Sequence, residues 1–100
     1  MSANSSAQKY LDVLLGSDVR ADLVALFHRN PGLIDTAEGI SRRIGQVHKA
    51  VQADLDELAV VGLLSKKKFG NQEVFYLNHA KDLEIQDSIA THLQSVKPSA

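Results

Sequence analysis

The sequence predicts a mainly α-helical domain that carries one small β-hairpin. Apolar residues recur at spacings of three and four through most of the chain, the signature of helices with one buried face. Near the C-terminal third, aromatic and β-branched residues flank a Gly70-Asn71 turn instead, which is hairpin chemistry. Glycine or proline stands at most of the breaks between these patterns. One hundred residues, 44% of them hydrophobic, suffice for one core and are too few for two domains of usual size.

The elements follow in order. Residues 1–6 are polar and terminal, so they are expected to be disordered. Tyr10, Leu11, Leu14 and Leu15 place an apolar stripe on a short helix from Ala7 to Leu15, which Gly16 ends. Ser17 caps a second helix running to about His28, with Val19, Leu23, Leu26 and Phe27 inward and Asp18, Arg20 and Asp22 on the solvated face. Asn30-Pro31-Gly32 stops it, and Leu33-Ile34 are expected to add a very short strand.

A third helix begins at Asp35 or Thr36, with Glu38 as a capping-box partner for Asp35 and with Ala37, Ile40 and Ile44 buried. Gly45 makes a turn. The longest helical pattern then runs from Gln46 to Val61 and buries Val47, Val51, Leu55 and Leu58. Gly62 terminates it, as a residue free to take the left-handed conformation. A hairpin of about 63–77 follows, with Lys66, Lys67 and Lys68 on its first strand. A last helix, from Lys81 or Asp82 to Val96, aligns Ile85, Ile89, Leu93 and Val96 in a narrow stripe before Lys97-Pro98, and 97–100 form a tail. The organisation is thus a single domain over 7–96, with a helix-turn-helix at about 35–61, a two-stranded wing, and flanking terminal helices.

Composition excludes several classes. The chain has no cysteine, so disulfides and thiolate metal sites are impossible, and no apolar run approaches the roughly 20 residues of a membrane span. A cytoplasmic protein is expected. His28, His48, His79 and His92 share no ligand spacing, so no metal or other cofactor is expected. Neither a glycine-rich phosphate loop nor a nucleophile elbow is present, and the chain is read as a non-enzyme. The net charge is −1, yet Gly39–Gln72 holds six Lys/Arg against three acids, a local excess of three, while the remainder holds five against nine. A local basic face on an acidic protein suits specific binding that avoids bulk polyanion.

The order helix, Gly45 turn, helix ending Gly62-Leu63-Leu64, strand, lysine-rich tip and aromatic strand resembles the winged helix-turn-helix domain of ArsR-like and MarR-like transcriptional regulators. Ile40-Ser41-Arg42-Arg43-Ile44-Gly45 stands where such proteins place the helix before the turn. Val51, Leu55, Leu58, Gly62, Leu63 and Leu64 match the recognition helix and its exit, and Lys66, Lys67, Lys68, Gly70, Asn71, Tyr76 and Leu77 match the wing. The resemblance spans roughly Gly16 to Asn78. It implies a sequence-specific DNA-binding regulator, with helix 46–61 in the major groove and wing 65–73 on phosphates. Where family members carry donors on the exposed helix face, this chain has Gln52, Ala53 and Asp54. An aspartate so placed would accept from a cytosine amino group and repel phosphate. No metal-sensing signature accompanies the ArsR-like outline.

Gln46, His48, Lys49 and Gln52 are the candidate base readers, because glutamine pairs with adenine and lysine with guanine or phosphate. Arg42, Arg43, Lys66, Lys67, Lys68 and Asn71 are the candidate phosphate contacts, although alternation sends Lys67 to the opposite face from Lys66 and Lys68. Tyr10, Leu14, Ile85, Ile89 and Leu93 are the candidate homodimer interface, which would set two recognition helices roughly 34 Å apart. The expected partners are double-stranded DNA and a second copy of the chain, with no membrane. The alternative is a protein-interaction module without DNA binding, a use that the acidic balance and Asp54 would suit.

Overall fold

Leu23, Leu26 and Phe27 on one helix and Val51, Leu55 and Leu58 on another share a core with Ile40, Leu63, Leu64, Phe75, Leu77 and Ile85. The structure, a computed structural model, describes residues 5–95. It contains helices α1 (Ser5–Leu14), α2 (Asp18–Arg29), α3 (Ala37–Ile44), α4 (His48–Val61) and α5 (His79–Ser95), with strands β1 (Ile34–Thr36), β2 (Leu64–Phe69) and β3 (Gln72–Leu77). The expected tail 97–100, Val96 and the first four residues lie outside the described residues. Among the described residues no helix is long and apolar enough to cross a membrane.

The strands form one antiparallel sheet in the order β1-β3-β2. Leu64 faces Leu77 and Lys66 faces Phe75 across the hairpin, while Ile34 and Ser65 flank Tyr76. Leu64, Phe75 and Leu77 are therefore the buried inner face. The outer face carries Ile34, Phe69, Val74 and Tyr76, of which Ile34 and Phe69 are exposed.

Local chemistry sets the element boundaries. Ser17 Oγ accepts from the Arg20 amide at 3.0 Å, so α2 starts as its cap predicts. The cap of α3 is Thr36, whose hydroxyl accepts from Gly39 N at 3.1 Å. Its third helical residue is then Gly39, so the expected Asp35–Glu38 capping box does not form. Asp35 instead accepts from the Thr36 amide, and Glu38 pairs with Arg42. Gly45 ends α3 at φ +66°, a conformation that costs an L side chain roughly 1–2 kcal/mol.

Three expectations are corrected here. Val47 is 71% exposed rather than buried, because α4 begins at His48 and Val47 is its cap residue, off the helical stripe. Leu15 is exposed, since α1 stops at Leu14. The last helix begins at His79, two residues earlier than expected, because Asn78 Oδ1 accepts from Lys81 N at 3.1 Å and its carbonyl from Asp82 N at 2.8 Å.

Candidate nucleic-acid interface

The turn at Gly45 brings α4 out of the body N-terminus first. Gln46, Val47, His48, Lys49 and Ala50 are all exposed at that end. No side chain caps this helix and no acid occupies its first turn, so its leading N–H groups and the positive end of its dipole face solvent. Gln46, expected on the helix, precedes it; its amide donates to Ser41 O at 3.0 Å.

Gln52 and Lys66 converge on one acceptor. Gln52 Nε2 and Lys66 Nζ each lie 3.2 Å from Asp56 Oδ1, which ties the first strand of the hairpin to the middle of α4. Both partners of the ion pair are more than 40% exposed, so the contact positions Lys66 and contributes little to stability, under about 1 kcal/mol. Lys67 turns to the other face and sits over the Phe69 ring at 5.3 Å. Lys68 stands opposite Glu73 in the register. A cleft of about 250 Å³ lined by Thr36, Glu38, His48, Gln52, Gln72 and Glu73 separates α4 from the start of β3. Sequence reasoning missed Gln72, Glu73 and Glu38 as neighbours of the candidate base readers, because only the sheet register and the packing of α3 on α4 bring them there.

The two arginines are engaged locally. Arg43 Nε donates to Asp35 Oδ2 at 3.0 Å, and Arg42 pairs with Glu38 at 3.5 Å across one helical turn. Asn71 is exposed in the two-residue hairpin loop. Lys49 and Lys68 are exposed and have no ion-pair partner among the described residues.

Asp54 does not lie on the exposed face. Its carboxylate accepts from Ser17 Oγ at 2.8 Å and from Arg20 Nε at 3.0 Å, with the side chains of Arg20 and Asp54 only 19% and 13% exposed. Arg20, expected on a solvated face, also donates to Val13 O at 2.9 Å. One guanidinium thus joins the end of α1, the start of α2 and the middle of α4. The spacing held the clue: Asp54 follows Val51 by three and precedes Leu58 by four, the same intervals that define the buried stripe.

Of the residues expected at a dimer interface, Leu14 and Ile85 are buried in the chain's own core, and Tyr10 and Ile89 pack against it. The reason is that α1 packs along α5. Leu93 and, beyond the expected stripe, Leu83 remain exposed on α5. His28 pairs with the buried Asp82 at 2.8 Å, joining α2 to α5, and Gln86 donates to the other carboxylate oxygen. Among the described residues no group of three His, Asp or Glu side chains could hold a metal ion.

No protein-family model matches the chain. No curated protein matches it.

Proposed function

We propose that the chain is a winged helix-turn-helix DNA-binding regulator of the ArsR-like or MarR-like kind, with α4 entering the major groove and the β2–β3 hairpin as its wing. The observation that carries this is the first turn of α4: exposed, uncapped and free of acids, with His48 and Lys49 upon it. Such an end attracts phosphate oxygens and lets neighbouring side chains approach base edges. The inward turn of Asp54 supports the same reading, since its charge is spent on Arg20 and not presented to phosphate.

In this model His48, Lys49 and Gln52 read bases and Gln46 contacts the backbone beside them. Lys66, Lys67, Lys68 and Asn71 hold flanking phosphates. Arg42 and Arg43 contribute after exchanging Glu38 and Asp35 for phosphate. The regulator acts in the cytoplasm, without a metal or cofactor and without catalysis. Fluorescence anisotropy on a mixed-sequence duplex tests this. Affinity should fall steeply with salt, and Lys67→Ala and Lys68→Ala should each lower the slope of log K against log salt by about 1. Absence of binding at low salt would remove the reading.

The homodimer belongs to the same proposal, with Leu83 and Leu93 supplying the exposed apolar contact on α5. Light scattering at micromolar concentration should return about twice the chain mass of 10.9 kDa. A value at the single-chain mass would discard the dimer and leave the DNA reading standing.

One observation favours a protein-interaction module instead. The outer sheet face exposes Ile34 beside Tyr76, an apolar surface that the proposed DNA contacts do not include. Loss of function in Ile34→Lys with DNA affinity unchanged would point to that use.

A further inference from the structure

A groove lies away from the proposed DNA face. It has a volume of about 450 Å³ and opens between α1, the C-terminal end of α4 and the first turns of α5. Its size is within the range of small-molecule sites, and its walls combine three valines with polar and charged side chains. Val13, Val60 and Val61 give the apolar surface, with Val60 83% exposed. Tyr10 and Lys81 give the polar end.

That polar end is built, not incidental. Lys81 Nζ donates to Tyr10 Oη at 3.2 Å and to Glu84, and it lies 5.5 Å from the Tyr10 ring centroid. Its methylenes run over Gly62, where a Cβ would stand 3.1 Å from Lys81 Cγ, so the glycine that ends α4 also makes room for this side chain. Hydrogen bonds to Glu84 first and Tyr10 second hold its pKa above the ordinary lysine value. An ammonium has three donors, and two are used. The Tyr10 hydroxyl accepts from Lys81, and its own proton has no acceptor among the described residues. Two unspent donors therefore stand 3.2 Å apart at one end of the groove, a spacing suited to the two oxygens of a carboxylate.

We propose that this groove binds a small monocarboxylate with a branched apolar body, its carboxylate held by Tyr10 and Lys81 and its body lying on Val13, Val60 and Val61. Lys9 and Ser6 also line the groove. Glu57 on the α4 wall disfavours a second carboxylate. Binding itself needs no DNA and is tested without it.

The experiment is an NMR titration of the nitrogen-15-labelled full chain with leucine, 4-methylpentanoate and succinate. Amides of Tyr10, Val60, Val61 and Lys81 should shift and saturate with leucine or 4-methylpentanoate, and succinate should bind at least tenfold more weakly. Tighter binding of leucine makes the ligand an amino acid, whereas tighter binding of 4-methylpentanoate makes it a simple acid; both support the site. Tyr10→Phe, which keeps the ring and removes the donor, should weaken binding about tenfold, and Val60→Asp should abolish it at an exposed, fold-tolerant position. Failure of all three compounds to saturate those amides overturns the proposal. So does succinate binding as well as leucine, or binding that is unchanged in both variants.

Discussion

Phe27→Ala should lower the free energy of unfolding by about 3–5 kcal/mol, the range for removing a fully buried aromatic side chain. Phe27 has no exposed surface and packs from α2 into the core it shares with α4 and the sheet. A domain of this size has about 5–15 kcal/mol in total, so the variant should melt tens of degrees lower or populate the unfolded state at 37 °C. Phe69→Ala is the control, because that ring lies exposed on the outer sheet face and its loss should cost under about 1 kcal/mol. Urea unfolding of the two variants gives the comparison. Equal losses would mean that the core is not where Leu23, Phe27 and Leu55 place it.

Asp54→Ala should cost about 2–3 kcal/mol. It strands the Arg20 guanidinium beside Val13 O with its main acceptor gone, and it leaves the Ser17 hydroxyl without its acceptor. Breaking a fully buried pair typically costs more, but Arg20 and Asp54 keep 19% and 13% exposure, and water recovers part of the loss. Asp56→Ala, which breaks the exposed pair with Lys66, should cost under about 1 kcal/mol. Thermal melts of both, at low and high salt, separate the cases: the Asp54 loss should persist in salt and the Asp56 loss should vanish. If Asp54→Ala were silent in stability, the inward ion pair would not exist, and the acid would return to the groove-facing surface.

Helix periodicity made the core legible, because Val51, Leu55 and Leu58 or Leu23, Leu26 and Phe27 need only one helix to define a face. Caps and turns were nearly as legible: Ser17, Gly45 and Gly62 act through their own neighbours. Asp54 was misread because its charge was weighed above its position on the buried stripe. Val47 sits at a stripe spacing too, and its exposure follows from a helix start two residues later than the pattern implied. The pairings Lys66–Asp56, Arg20–Asp54 and His28–Asp82 join separate elements, and no local pattern encodes them. The groove between α1, α4 and α5 has the same origin, since Tyr10 and Lys81 are far apart in the chain and meet only when α1 folds along α5.

The balance of charge around α4 is the reason the DNA reading must be tested by location as well as by affinity. Glu38, Asp56 and Glu73 stand near the basic residues, and each masks or opposes one of them. Only the end of α4 and, on the hairpin, Lys67 are clear of this compensation, so a bound duplex must make its main contacts there. The decisive measurement is an NMR map of the full chain on addition of a short duplex at low salt. The account predicts shifts concentrated at Gln46, His48, Lys49, Gln52 and Lys66–Asn71, with the Tyr10 and Lys81 end of the groove unmoved. Shifts confined to Ile34, Val74 and Tyr76, or none at all, would contradict it.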